Sequence, residues 1–133
     1  MHTAAALAQK GLITPQELQQ IARIFAFGHY IGNTDMHSGN LSFYVDDVVT
    51  PKIRLAPVYD MLPMMWRPDI HSGNLEPSPL REPRLPAGYE ADAELARNWA
   101  VDYWLQASVD VELSAELGAL CAENARRLQH GFD

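Results

Sequence analysis

Apolar residues recur at helical spacing along two long stretches of the chain. The first stretch has one broad apolar face, whose members are Leu18, Ile21, Ala22, Phe25 and Ile31. Thr14 precedes Pro15 and stands three residues before Glu17, which is the capping-box arrangement that begins many helices. This pattern predicts a helix from 15 to about Tyr30.

The second stretch lies beyond Glu90. The apolar residues of its first face are Ala96, Trp99, Ala100, Tyr103, Trp104 and Ala107. A weaker stripe nearer the C-terminus consists of Leu117, Leu120, Cys121 and Leu128. The spacing predicts two helices, with Trp99 and Trp104 packed in the core. Residues 3–10 are rich in alanine and end at Gly11, which predicts one more short helix at the start.

Two short runs rich in strand-forming residues lie between these helical stretches. They cover residues 41–45 and 52–56, and the residues between them favour a turn, so we predict a β-hairpin. Six of the nine prolines fall between Pro63 and Pro86, which disfavours long regular structure there. The predicted fold class is therefore mainly α with one small β-hairpin.

Composition and charge narrow the classes of function. The 133 residues are 47% hydrophobic, which fits a single domain over 1–133 with a real core. The formal charge of −7 offers no cationic field to a polyanion, so we expect no direct nucleic-acid binding. No apolar run approaches the roughly 20 residues of a membrane span. Cys121 is the single cysteine, which excludes an internal disulfide framework, and we expect a cytoplasmic protein.

Polar residues that suit phosphoryl transfer gather after the first long helix. Asp35, His37 and Asn40 lie within six residues on a predicted loop, and Asp60 follows the second predicted strand. Phosphoryl transfer needs a carboxylate that orients the attacking hydroxyl and oxygen ligands that hold Mg²⁺ against the nucleotide phosphates. The layout of helix, polar loop, hairpin and aspartate therefore indicates a phosphotransferase.

The loop and its flanks resemble a known family. Residues 35–40, Asp-Met-His-Ser-Gly-Asn, are similar to the Asp-x-His-x-x-Asn catalytic loop of aminoglycoside-phosphotransferase-like and HipA-like kinases. The flanks 31–35 and 55–63 resemble the HipA family, the serine/threonine kinase toxins of bacterial toxin–antitoxin systems. The resemblance covers about residues 18–63. It implies the C-terminal helical lobe of a protein-kinase-like fold.

The resemblance also implies roles for individual residues. Asp35 matches the catalytic aspartate that orients the acceptor hydroxyl, and His37 matches a histidine that we expect to brace the loop. Asn40 and Asp60 match the residues that bind Mg²⁺ and, through it, ATP. The chain departs from the commonest HipA pattern at 38–39, Ser-Gly, where that family often has a small residue and then lysine. A phosphate contact by that lysine is therefore not expected here.

Other kinase features are absent from the sequence. There is no glycine-rich phosphate loop and no strand lysine paired with a helical glutamate, which protein kinases use to hold ATP. We expect these in an N-terminal nucleotide lobe that this chain lacks, so the isolated chain should be inactive. The implied partners are that lobe, a protein substrate with a serine or threonine acceptor, and a helix-turn-helix antitoxin.

Several alternatives stay open at the level of sequence. The chain could be a catalytically dead lobe that docks a helix-turn-helix antitoxin, or a small-molecule phosphotransferase of the aminoglycoside type. Residues 69–74, Asp-Ile-His-Ser-Gly-Asn, nearly repeat residues 35–40, but they lie between two prolines and we interpret the second copy as accidental. Trp66 either lines a substrate cleft or covers the core.

Overall fold

A computed structural model describes residues 1–49, 52–67 and 80–132. In these residues there are four α-helices and one two-stranded antiparallel sheet. The elements are α1 (His2–Gln9), α2 (Pro15–Tyr30), β1 (Phe43–Asp47), β2 (Lys52–Leu55), α3 (Glu90–Ser108) and α4 (Ala115–His130). The prediction of a mainly helical fold with one β-hairpin is confirmed.

Glu17 fixes both the start of α2 and the position of the hairpin. Its carboxylate accepts a hydrogen bond from the Thr14 N–H at 2.7 Å, and the Thr14 hydroxyl accepts one from the Glu17 N–H at 3.2 Å. The same carboxylate accepts a hydrogen bond from the Leu55 N–H at 2.9 Å, which ties β2 to the helix. These hydrogen bonds from backbone N–H groups hold the pKa of Glu17 below its usual value. The capping box was predicted, whereas the link to β2 was not.

The hairpin begins two residues later than predicted. Phe43 lies opposite Leu55 and Val45 opposite Ile53, with an irregularity between Val45 and Asp47. Phe43, Ile53 and Leu55 pack, together with residues of α1, against a small apolar cluster that includes Ile21 of α2. The hairpin is therefore anchored on the first half of α2, and the loop that joins them is held at both ends.

The main core lies between α2, α3 and α4. Its buried residues are Ala26, Tyr30, Ile31, Leu80, Ala96, Ala100, Trp104, Cys121, Ala125 and Leu128. The Trp104 indole N–H donates a hydrogen bond to the Tyr30 carbonyl at 3.0 Å. Because the last carbonyls of a helix have no partner within it, this bond satisfies one of them and fixes the end of α2.

The three tryptophans divide between core and surface. Trp104 is buried as predicted, and Trp66 meets it edge to face with ring centroids 5.2 Å apart. Trp66 therefore covers the core, which is the second of its two predicted roles. The prediction that Trp99 is packed in the core was wrong, since its side chain is 43% exposed. The buried face of α3 repeats every four residues through Ala96, Ala100 and Trp104, which leaves Trp99 on the flank.

Two further sequence predictions concern regions away from the core. In the described ranges, no helix is both long and apolar enough to cross a membrane. The second Asp-x-His-x-x-Asn copy, 69–74, lies outside the described residues, so its interpretation as accidental stays a prediction.

Gly32 and Gly11 provide a matched test of packing at the end of α2. Both have positive φ angles, +72° and +68°, but an added Cβ at Gly32 would lie 2.5 Å from the Trp66 ring whereas one at Gly11 would meet nothing within 4 Å. We expect Gly32→Ala to lower the free energy of unfolding by about 1–3 kcal/mol more than Gly11→Ala, because only the former overpacks the core. Urea denaturation of both variants measures this difference, and equal losses would contradict the packing argument.

Candidate functional site

Asn33 joins the loop after α2 to the segment that follows β2. Its side chain is 5% exposed, and its amide donates a hydrogen bond to the Asp60 carbonyl oxygen at 2.9 Å. Its Oδ1 accepts a hydrogen bond from the Asp35 N–H, also at 2.9 Å. One buried side chain therefore fixes the backbone at two of the four candidate residues.

A second connection joins the same two segments nearer to Asn40. The Tyr59 hydroxyl donates a hydrogen bond to the Gly39 carbonyl at 2.5 Å and lies 3.3 Å from the Ser42 hydroxyl. Since Tyr59 directly precedes Asp60, this contact and the Asn33 bridge hold both ends of the loop against one segment.

The residues 38–40 form one turn of 3₁₀ helix that carries Asn40. The His37 Nδ1 accepts a hydrogen bond from the Gly39 N–H at 3.0 Å, and the Asn40 Oδ1 accepts one from the His37 N–H at 3.2 Å. These bonds form the reciprocal cap of the turn. His37 thus makes a contact of the kind that bracing requires, and Asn40 Oδ1 keeps a lone pair for a metal ion. An added Cβ at Gly39 would lie 2.8 Å from the His37 ring, so this turn favours glycine where the family often has lysine.

Met36 fixes the middle of the loop by packing against α2. Its sulfur occupies the space that a Cβ at Gly28 would need, and the Met61 sulfur lies 3.0 Å from the same point. Gly28 is therefore the position on α2 that admits both the loop and the segment after Asp60. The Met65 N–H adds a hydrogen bond to the Gly32 carbonyl at 2.9 Å.

Asp60 has a backbone conformation that L-residues seldom adopt. Its φ of 55° is the one positive value of a non-glycine residue in the described chain. Aspartate tolerates this left-handed region better than most residues, although the conformation still costs about 1–2 kcal/mol. The hydrogen bond from Asn33 to the Asp60 carbonyl holds the backbone there. Residues kept in such conformations cluster at functional sites.

The candidate ligands are accessible. The side chains of Asp35 and Asp60 are exposed, and neither carboxylate has a hydrogen bond or ion pair within the part of the chain that the structure describes. No group of three His, Cys, Asp or Glu side chains placed to hold a metal ion occurs among the described residues. The candidate pair combines the Asp60 carboxylate with the Asn40 amide oxygen. Both are hard oxygen donors of the kind that Mg²⁺ accepts when water and phosphate oxygens complete its shell.

Two cavities flank the loop. The first, of about 330 Å³, is lined by His37, Ser38 and Asn40, by the start of α1 including the polar His2 and Thr3, and by apolar residues of α2. The second, of about 440 Å³, is lined by His29, Gly32, Asn33, Thr34, Met36, Met65 and Arg81. Met36 lines both cavities, whereas Asn40 lines only the first and Thr34 only the second.

The contacts that organise this site were missed at the level of sequence. Asn33 reaches a residue 27 positions away and Tyr59 one 20 positions away, and no local pattern indicates such partners. The signals that could have drawn attention to them are a polar residue directly after the glycine that ends α2, and a tyrosine directly before Asp60.

Comparisons with known proteins assign the chain to a family. The family model of the HipA-like C-terminal domain matches residues 1–128. Toxin YjjJ of Escherichia coli strain K12 is 49% identical over 63 residues, which are 47% of this chain and 14% of that toxin. The chain thus matches a small part of its relative's length, and no solved structure matches it significantly. Since the family model covers nearly all of the sequence, the chain belongs to the HipA-like C-terminal domain family.

Proposed function

We propose that this chain is the C-terminal catalytic lobe of a serine/threonine protein kinase toxin that uses ATP and Mg²⁺. The observation that carries the proposal is the Asn33 side chain, which hydrogen-bonds the Asp35 N–H and the Asp60 carbonyl at 2.9 Å each. A buried bridge between a loop aspartate and a second aspartate beyond a hairpin is what a shared site for acceptor and metal requires.

Each candidate residue has a separate task in this proposal. The Asp35 carboxylate orients the acceptor hydroxyl and accepts its proton, and His37 keeps the intervening turn in shape. Asn40 and Asp60 each offer one side-chain oxygen to Mg²⁺, whose charge would offset that of the phosphates. Since neither carboxylate has a partner among the described residues, both remain free for these tasks.

The proposal extends to the whole protein. A relative named as a toxin supports action as a toxin. We place the protein in the cytoplasm, where ATP and protein substrates are present, with a separate nucleotide-binding lobe and a helix-turn-helix antitoxin as partners. The isolated chain would therefore lack the glycine-rich loop and the strand lysine with which protein kinases bind the nucleotide phosphates.

The metal site can be tested on the chain itself. Mn²⁺ is a paramagnetic substitute for Mg²⁺ that broadens nearby amide NMR signals. We expect Mn²⁺ to broaden the signals of Asn40 and Asp60 first and Asp60→Asn to remove this selectivity, because an amide is a weaker ligand than a carboxylate. Asp102→Asn, an exposed change on α3, is the control and should leave the broadening intact. Broadening spread evenly over acidic residues would contradict the metal assignment.

Nucleotide affinity gives a second measurement. We expect calorimetry with ATP and Mg²⁺ to show little heat, because two metal ligands without a phosphate-binding loop fix only part of the nucleotide. Submicromolar affinity of the isolated chain would show that this half of the protein holds the nucleotide, against the proposal.

A further inference from the structure

The cavity on the Thr34 side of the loop differs in chemistry from the cavity on the Asn40 side. It has a volume of about 440 Å³, and it includes Thr34 and Met36, the two neighbours of Asp35 in sequence, but neither Asn40 nor His37. Asp35 itself does not line the cavity, but both of its chain neighbours do, so a ligand there contacts the loop on either side of Asp35 and not at the proposed metal ligand Asn40. In a phosphoryl transfer, that is the side from which an acceptor hydroxyl approaches.

Arg81 gives this cavity a positive charge. It is exposed and has no hydrogen bond or ion pair with any described residue. Its neighbour Glu82 is engaged elsewhere, since the Glu82 Oε1 accepts hydrogen bonds from the Tyr30 hydroxyl at 2.9 Å and from Arg97 at 2.7 Å. An arginine without a partner among the described residues, on a chain of net charge −7, is available for an anionic ligand.

The backbone around Arg81 is anchored on both sides. Leu80 is 3% exposed in the main core, and Glu82 is held by Tyr30, the last residue of α2. Arg97 also stacks over the Tyr30 ring, with its guanidinium carbon 5.7 Å from the centroid. The backbone position of Arg81 at the cavity is thus set by the core, which keeps the arginine within reach of a ligand there.

Two other polar side chains in the cavity wall, His29 and Thr34, can form hydrogen bonds with a ligand but add no charge. His29 packs edge to face on Phe25 at 4.6 Å, and its burial lowers the pKa of the imidazole below its usual value. His29 is therefore neutral near pH 7 and offers a donor or an acceptor without adding charge. Thr34 adds an exposed hydroxyl. One cation with two neutral polar groups matches one carboxylate beside a polar peptide backbone.

We propose that this cavity is the acceptor-substrate site, and that it selects serine or threonine residues followed closely by an acidic residue whose carboxylate pairs with Arg81. This inference rests on the proposed kinase function, since it assigns the acceptor side of the same site. Asp35 meets the hydroxyl, and Arg81, beyond Thr34, meets the acidic side chain.

The test is peptide binding to the 133-residue chain, followed by amide NMR. The probes are acetyl-Gly-Ser-Glu-Ala-Gly-amide and its twin with glutamine in place of glutamate. We expect the acidic peptide to bind about two- to fivefold more tightly, with shifts at Gly32 and Thr34, since a partly exposed ion pair has this magnitude. Arg81→Gln should abolish the preference. Arg84→Gln, an exposed arginine of the same segment that does not line the cavity, should preserve it.

The possible outcomes separate this inference from the proposed function. Equal binding of both peptides, or a preference that survives Arg81→Gln, overturns the acceptor site. If Mn²⁺ still broadens Asn40 and Asp60 selectively in that case, the kinase proposal stands without it. ADP is the third probe, and if it displaces the acidic peptide from Gly32 and Thr34, the cavity binds nucleotide phosphate and the acceptor assignment is wrong. An Arg81-dependent preference without selective Mn²⁺ broadening overturns the kinase proposal and, with it, the acceptor role.

Discussion

Asp35→Asn should lower the rate of phosphoryl transfer about 10²- to 10⁴-fold, which is the usual contribution of a general base. The activity is measured in a chimera that joins this chain to a nucleotide-binding kinase lobe, because we propose that the isolated chain is inactive. An asparagine amide cannot accept the proton of the acceptor hydroxyl. The Asp35 N–H that bonds to Asn33 is unchanged by the substitution, so the loop should keep its shape.

The kinetic pattern separates a chemical role of Asp35 from a structural one. We expect kcat to fall while the KM for ATP stays nearly constant, because a base acts in the transition state and not in nucleotide binding. The melting temperature should match that of the unsubstituted chimera. Asp102→Asn on α3 is the matched control and should retain full activity. A loss of less than about tenfold for Asp35→Asn would contradict the assignment of Asp35 as the base.

The helical part of the fold follows from local signals. The helix α2 begins and ends where the capping residues and the apolar face predict, because the cap of Thr14 and Glu17 satisfies backbone groups within four residues of sequence. The strands are less well predicted, since pairing and the irregularity between Val45 and Asp47 depend on the partner strand. Trp99 shows the same limit on α3, where the packing of α2 and α4 decides which flank is covered.

The candidate site also has features that the local sequence predicts and features that depend on distant partners. Asp35, His37, Asn40 and Asp60 can be nominated from the sequence because their spacing resembles a known catalytic loop, and their catalytic roles remain predictions. The residues that hold them, Asn33 and Tyr59, act through partners 27 and 20 positions away. Such contacts form only after the hairpin has folded back onto α2. A sequence pattern therefore indicates the reacting groups but not their supports.

We expect Asn33→Ala to lower the stability of the protein and, at the same time, to disturb the arrangement of Asp35 and Asp60. The change removes the partners of the Asp35 N–H and the Asp60 carbonyl, and a hydrogen bond in such a partly buried setting contributes about 0.5–1.5 kcal/mol. The free energy of unfolding should fall by about 1–3 kcal/mol for the loss of both bonds. Asp60 should also leave its left-handed conformation once the bond to its carbonyl is gone. Selective Mn²⁺ broadening at Asn40 and Asp60 should then disappear.

Asn124→Ala is the matched control for this experiment. Asn124 is also buried, at 4% exposure, but its amide nitrogen has no hydrogen-bond partner among the described residues. Its removal therefore leaves a similar cavity without orphaning a partner of that nitrogen. Urea denaturation should show a smaller loss of stability for Asn124→Ala, and Mn²⁺ broadening should persist. Asn33→Asp keeps the acceptor for the Asp35 N–H and loses the donor to Asp60, so it should weaken the metal response while retaining more stability than Asn33→Ala. Equal stability losses at Asn33 and Asn124, with the Mn²⁺ response intact in both, would show that the Asn33 bridge does not organise the site.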